Sequence, residues 1–148
     1  MGTTVAAVLV APNEARVTYA NVGDSRVYLI RDRAMLQISR DDSWANLGWS
    51  GGTPEDTTST SAMKNILTKA LGAREDVEFD VVDQALHEGD LILLCSDGLT
   101  NMIPDPRIGE LVTAHPNDPA GACRELVAEA NAQGGRDNIS VILVEYRR

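Results

Sequence analysis

The 148-residue sequence has few cysteines and no long apolar run. Its two cysteines, Cys95 and Cys123, lack the spacing of a zinc site or a disulfide framework, which predicts a reduced, cytoplasmic setting. No apolar run approaches the roughly 20 residues that a membrane-spanning helix needs, and no cationic leader opens the chain. We therefore expect a soluble protein that is not secreted.

Basic residues are also in deficit. The 13 Lys and Arg residues are outnumbered by 22 Asp and Glu residues, giving a formal net charge of −9. This charge repels nucleic-acid backbones and anionic membrane surfaces, so we expect neither as a partner. Divalent cations are different, because surplus carboxylates are the ligands that hard cations prefer. The 43% share of hydrophobic residues is typical of a globular chain, and the length predicts a single domain over residues 1–148.

Short apolar segments separated by polar turns predict a domain rich in β-strands. We predict strands at residues 4–10, 16–22, 27–30, 35–38, 77–82, 91–95 and 139–146. Of the first four, which lie close together in the chain, three or four are predicted to follow one another as an antiparallel meander. The first strand and the last two are apolar on both faces, which is typical of buried strands.

Two segments have the apolar spacing of helices. Residues 61–70 carry apolar side chains at helical intervals, and Gly72 is positioned to end this helix. The second helix is predicted to begin at Pro119, with Asp118 as its N-cap, and to end before Gly134. Together with the strands, these helices predict a mixed fold.

Three aspartates lie where predicted strands meet turns. Asp24 follows the second strand, Asp97 follows the strand at 91–95, and Asp137 precedes the last strand. Carboxylates fixed at the ends of strands in a packed sheet can hold a hard cation in a defined geometry. Asp beside Gly, Ser or Asn is also ordinary turn chemistry, and the spacing alone leaves both interpretations open.

Each of these aspartates lies in a longer motif. Ala20–Tyr28 reads ANVGDSRVY, Leu93–Leu99 reads LLCSDGL and Gly135–Val141 reads GRDNISV. In sequence and in order, these motifs resemble those of the metal-dependent protein phosphatases of type 2C, of the bacterial serine/threonine phosphatase type. Gly2–Thr4 and Thr68–Gly72 also resemble family sequence, so the resemblance covers essentially the whole chain.

The resemblance implies an α+β fold, an antiparallel β-sandwich flanked by helices. It also implies that a water activated by two Mg²⁺ or Mn²⁺ ions hydrolyses phosphoserine and phosphothreonine in proteins, without a phosphoenzyme. Asp97 and Asp137 match the ligands of this two-metal centre, and Asp24 matches an acidic residue that helps to hold a third metal. Asn138 matches a position beside a ligand, where an orienting role is implied.

The sequence departs from the family pattern at two points. Family members carry an acidic residue and a metal-bridging Asp-Gly motif upstream of the segment that Gly2–Thr4 resembles, whereas here the only Asp-Gly pair is Asp97-Gly98. We therefore expect the C-terminal part of a type 2C domain, about 60% of the family's length. We also expect self-association through surfaces that the missing part would cover. The second departure is Asn101, which stands where many members have Asp and weakens the predicted third metal site.

Two functions stay open on these grounds. The first is a metal-dependent serine/threonine phosphatase, and the second is a phosphatase-derived binding or scaffold module that holds only part of the metal cluster. Residues 40–61 are polar and match a flap-like loop, which is either functional or plain surface disorder. Trp44 and Trp49 lie in it and either anchor the loop on the core or contact substrate.

The remaining candidate residues have structural interpretations as well as functional ones. Arg26 and Arg136 flank aspartates and either meet phosphate or form ion pairs. His87 and His115 lie in polar connections and are predicted to be solvated. Cys95 lies inside an apolar strand without a basic neighbour in sequence, which predicts core packing rather than a nucleophile.

Overall fold

The computed structural model describes residues 2–42, 68–73 and 76–147. In these ranges the strands are β1 (Val5–Ala11), β2 (Arg16–Val22), β3 (Arg26–Arg31), β4 (Ala34–Gln37), β5 (Val82–Ala85), β6 (Leu91–Cys95) and β7 (Val141–Glu145). The helices there are α1 (Asp97–Thr100), α2 (Asp105–Thr113) and α3 (Pro119–Ala132). No helix of the described ranges is both long and apolar enough to cross a membrane.

The strands form two antiparallel sheets packed face to face. One sheet has the order β1-β2-β5, and the other has the order β4-β3-β6-β7. The helices α1, α2 and α3 pack on the four-stranded sheet, which is therefore the middle layer of this part of the chain. The predicted α+β fold class, an antiparallel β-sandwich flanked by helices, is confirmed.

Strand β6 lies between two hydrophobic cores. Ile92 packs with Val17 between the two sheets, whereas Leu93 packs with Leu126 of α3 beneath the helices. All four side chains are fully buried, and burial of each contributes about 1.5–3 kcal/mol to folding. A strand between two cores must be apolar on both faces, so the prediction of a buried strand at residues 91–95 is confirmed.

Among the strands that the structure describes, the other two apolar ones, β1 and β7, lie at the edges of their sheets. Leu9 of β1 is 70% exposed and Ile142 of β7 is 58% exposed, so the predicted burial of both strands on two faces is wrong. Their alternate residues do enter the cores, as Val8 and Val141 show. A run of apolar residues indicates a strand, but it does not indicate how many neighbours the strand has.

The predicted meander of the first four strands is wrong, because the chain changes sheets between β2 and β3. Strand β2 pairs with β1 and β5, while β3 pairs with β4 and β6. Gly23 lies at this crossing with φ at +101°, and a Cβ there would lie 2.4 Å from Thr4 Cγ2. Only glycine fits this conformation and this space, so the turn is specific, but its sequence does not reveal which sheet comes next.

Other predicted boundaries differ in part. The strand predicted at residues 77–82 begins only at Val82 and continues to Ala85, and the sequence predicts neither α1 nor α2. The second predicted helix is confirmed as α3, and the Asp118 carboxylate accepts a hydrogen bond from the Gly121 amide (2.8 Å) as its N-cap.

Part of the predicted helix at residues 61–70 and part of the predicted loop at 40–61 lie outside the described residues. Residues 43–67, which include Trp44 and Trp49, lie outside the described residues. Residues 68–70 are described and are not helical.

Asp90 is a buried carboxylate that ties β3 to the turn before β6. It accepts hydrogen bonds from Arg31 Nε (2.9 Å), Arg31 Nη2 (2.7 Å) and the His87 amide (2.7 Å). Burial alone would raise the pKa of Asp90, but these hydrogen bonds outweigh burial and the pKa lies below its usual value. The ionised carboxylate therefore stabilises the fold.

We expect Asp90→Ala to lower the free energy of unfolding by about 2–4 kcal/mol, because Arg31 and the His87 amide lose a buried acceptor. A lowered pKa contributes stability above the unfolded-state value of about 3.9 and loses it as pH falls through the folded value. Urea unfolding from neutral to acidic pH should therefore show the difference from wild type shrinking in acid. Glu110→Ala removes only the exposed pair with Arg107 and should change stability by less than about 0.5 kcal/mol. Equal stability of Asp90→Ala and wild type at neutral pH would contradict this account.

Candidate metal centre

The four-stranded sheet aligns the ends of three strands. Its register pairs Arg26 at the start of β3 with Cys95 at the end of β6, and Cys95 with Val141 at the start of β7. Because the strands are antiparallel, the turns that adjoin these positions meet at one end of the sheet. We call it the aspartate end, because these turns carry Asp24, Asp97 and Asp137.

Ser96 ties the turn of Asp97 to the turn of Asp137. Its amide donates to the Ser140 carbonyl (3.0 Å), and its hydroxyl donates to the Asn138 carbonyl (3.0 Å) while accepting from the Ser140 amide (2.9 Å). One serine therefore makes three hydrogen bonds to the segment that carries the second aspartate. This arrangement fixes the two turns against each other.

Gly98 brings the same two turns into direct contact. A Cβ at this position would lie 2.3 Å from the Asn138 carbonyl oxygen and 2.9 Å from its carbonyl carbon. Such distances exclude any side chain unless the backbone moves. These contacts explain why glycine follows Asp97. The aspartate supplies a carboxylate, and the glycine lets the neighbouring turn approach.

Asp24 and Asp97 lie close enough for their charges to interact. Partial burial raises the pKa of Asp24, and the negative charge of Asp97 raises it further, against smaller opposing effects that include the charge of Arg26. A cation between the two carboxylates would remove this repulsion. Ionisation of both carboxylates is therefore unfavourable without a counter-charge.

Asn101 contacts the candidate ligand Asp97. Its side-chain amide donates to Asp97 Oδ2 (3.2 Å) from one turn further along the chain. A carboxylate at position 101 could not donate this hydrogen bond unless it were protonated. The asparagine at position 101 thus removes one negative charge and orients the Asp97 carboxylate instead.

The Asp137 carboxylate is oriented as well, since its Oδ1 accepts a hydrogen bond from the Asn138 backbone amide (2.7 Å).

The donors at the aspartate end have the chemistry of a Mg²⁺ or Mn²⁺ site, since all are carboxylate oxygens on turns of a packed sheet. Across residues 2–42, 68–73 and 76–147, no group of three or more His, Cys, Asp or Glu side chains is placed to hold a metal ion. Mg²⁺ commonly keeps several waters and takes one or two carboxylates from protein. A partly hydrated ion of that kind would need only one or two of the three carboxylates.

Comparison with known proteins identifies the family. A family model described as Stage II sporulation protein E (SpoIIE) matches residues 53–147. The serine/threonine phosphatase stp of Listeria innocua is 39% identical over 146 residues, which cover 98% of this chain and 57% of that protein. The chain belongs to the type 2C protein phosphatase family.

Solved type 2C phosphatase structures have the same fold. The serine/threonine phosphatase PstP/Ppp of Mycobacterium tuberculosis has a TM-score of 0.85 and 31% identity, over 99% of this chain and 61% of that chain. The catalytic domain of PstP in complex with two manganese ions has a TM-score of 0.80 and 31% identity, over 99% and 60%. The chain thus spans less than two thirds of the length of these relatives.

The other predicted residues of this type 2C chain have varied surroundings. Arg26 forms an ion pair with Asp41 (2.7 Å), which favours the structural interpretation, whereas Arg136 is exposed beside the Asp137 turn. His87 is exposed as predicted, but His115 is half-buried and contacts Glu125.

Cys95 is buried, and burial raises the pKa of its thiol to about 12. A thiol with this pKa stays protonated at neutral pH, which makes it a poor nucleophile. The predicted core role of Cys95 is confirmed.

Two parts of the aspartate end are not predicted from the sequence. The first is Ser96, for which the position directly before an Asp-Gly pair at a strand end is the available signal. The second is the pair Asp41 and Asp42, which contact Arg26 and Gly23 from 15 and 19 residues away in the chain. Contacts of this range depend on how strands pair, which local patterns do not specify.

We expect Gly98→Ala to destabilise the fold by about 1–3 kcal/mol, because the new Cβ overlaps the Asn138 carbonyl. Gly109→Ala is the matched control in α2, where the Cβ would meet Met35 Cβ at an ordinary 3.5 Å. Alanine is the better helix former, so this control should be neutral or more stable by about 0.5–1 kcal/mol. Urea unfolding measures both variants. A Gly98→Ala protein as stable as wild type would show that the two turns are not in contact.

Proposed function

We propose that this chain supplies the aspartate end of a metal-dependent serine/threonine protein phosphatase, which hydrolyses phosphoserine and phosphothreonine in proteins. The observation that carries the proposal is the alignment of three strand ends, which gathers the turns of Asp24, Asp97 and Asp137. The names of the relatives support the activity, since those compared above are serine/threonine phosphatases. The relative with two manganese ions supports the metal.

In this proposal Asp97 and Asp137 hold the two-metal centre of Mg²⁺ or Mn²⁺, and Asp24 contributes to a third cation site. Bound cations lower the pKa of water and neutralise charge on the phosphoryl oxygens. Asn101 orients the Asp97 carboxylate, and Ser96 holds the turns of the two ligands together. In this proposal the nucleophile is water.

A second candidate function is a phosphatase-derived binding or scaffold module. One observation favours it: the described part of the chain lacks a group of three side chains that could hold a metal. A chain that spans 57% of the Listeria relative would then bind a phosphoprotein without hydrolysing it. Mn²⁺ binding and turnover, measured together, distinguish the two functions, because turnover requires bound metal and a module with only part of the cluster gives none.

We expect isothermal titration with Mn²⁺ to show binding to the wild-type chain, with affinity reduced roughly tenfold or more in Asp97→Asn. The amide keeps the shape of the side chain but removes the charge that attracts a hard cation. Glu110→Gln removes one exposed carboxylate of α2 and should leave Mn²⁺ affinity unchanged. A phosphatase assay on p-nitrophenyl phosphate follows the same three proteins. Binding that is absent from the wild type, or equal in all three, would argue for the binding module.

We further propose a cytoplasmic setting and self-association through the edge strands β1 and β7. The exposed side chains of Leu9 in β1 and Ile142 in β7 support self-association, since apolar edge strands favour pairing with another strand. Light scattering after size-exclusion chromatography should show a dimer or larger species that Leu9→Lys and Ile142→Lys convert toward monomer. A wild-type monomer at all concentrations would overturn self-association.

A further inference from the structure

The turn that carries Asp24 is held from outside by residues 39–42. Asp42 contacts Gly23 twice, because the Gly23 amide donates to Asp42 Oδ2 (3.1 Å) and the Asp42 amide donates to the Gly23 carbonyl (2.9 Å). Asp42 is fixed in turn, since its carbonyl accepts from the Thr68 amide (2.8 Å). The residue directly before Asp24 is therefore locked to a second segment.

Arg26 anchors the other side of the same turn. Its Nε and Nη2 both bond to the Asp41 carboxylate, at 3.0 and 2.7 Å. Its Nη1 donates to the Tyr28 hydroxyl (3.0 Å), which donates to Asp105 Oδ1 (3.0 Å). The Arg26 and Asp41 side chains are only 26% and 12% exposed, so solvent screens this forked pair weakly.

We propose that the contacts Asp42–Gly23 and Asp41–Arg26 form a clamp that positions Asp24, and that Asp42 is a positioning residue for the cation site. The inference rests on the proposed function. Both contacts lie within two residues of Asp24, and neither uses its carboxylate, which stays available for a cation. The clamp also holds the turn in place although Asp24 and Asp97 repel each other.

The clamp predicts a specific coupling between Asp42 and Asp24. Asp42→Ala removes the acceptor of the Gly23 amide and should weaken Mn²⁺ binding roughly tenfold. Asp42→Asn keeps an oxygen that can accept from this amide and should restore wild-type affinity. In an Asp24→Ala background, Asp42→Ala should have no further effect on Mn²⁺ affinity, because no carboxylate remains to be positioned.

Asp118→Ala is the matched control. It also removes one hydrogen bond from a backbone amide to a carboxylate, at the N-cap of α3 and outside the aspartate end. It should lower the melting temperature without changing Mn²⁺ affinity. If the clamp served stability alone, Asp42→Ala would likewise lower the melting temperature without changing Mn²⁺ affinity.

The experiment is isothermal titration of the full 148-residue chain with Mn²⁺, with melting curves for every variant. The clamp is supported if Asp42→Ala weakens Mn²⁺ binding and Asp42→Asn restores it. It also requires that Asp42→Ala cause no further loss of affinity in the Asp24→Ala background. Unchanged affinity in Asp42→Ala while Asp24→Ala weakens binding overturns the clamp alone.

Two further outcomes are informative. A wild-type chain that does not bind Mn²⁺ overturns the proposed function, and the clamp with it. If Asp42→Ala does not fold, Arg26→Lys takes its place, because lysine cannot form the forked pair with Asp41. Wild-type Mn²⁺ affinity in Arg26→Lys overturns the clamp. A roughly tenfold loss of Mn²⁺ affinity in Arg26→Lys, with no further loss when Arg26→Lys is added to Asp24→Ala, supports the clamp.

Discussion

One register in the four-stranded sheet determines where the candidate site lies. Cys95 stands opposite both Arg26 and Val141, so two strands begin beside the point at which β6 ends. This register is held by hydrophobic packing, because Ile92 and Leu93 point into different cores and a slip of one residue would exchange them. The same packing that stabilises the sandwich thus gathers carboxylates 24, 97 and 137 at one end.

Gathering carboxylates has an electrostatic cost in a chain of net charge −9. Burial and the negative charge of Asp97 both raise the pKa of Asp24, as expected where carboxylates are brought together. Ser96 and the close approach of Gly98 to Asn138 hold one pair of turns together, and residues 41–42 hold the third. In the proposed function, a divalent cation bound among these carboxylates would offset part of this cost.

The residues of this site are predicted from the sequence more completely than the contacts that bring them together. The motifs around the three aspartates, the strand at residues 91–95 and the helix capped by Asp118 follow from local patterns, and the structure agrees. The exchange of sheets at Gly23 and the edge positions of β1 and β7 do not follow, because local patterns carry no record of strand neighbours. The contact of Asp42 with Gly23 is not predicted for the same reason, since it joins residues that are close only after folding.

The proposed function requires that divalent cations bind among these carboxylates. Crystals of the chain grown with Mn²⁺ and measured near the manganese absorption edge test it most directly, because anomalous scattering locates the metal without reference to activity. We expect anomalous peaks at the aspartate end, within coordination distance of Asp97 and Asp137, and their loss in Asp97→Asn. Fully occupied Mn²⁺ elsewhere on the surface, with no peak at the aspartate end, would contradict it.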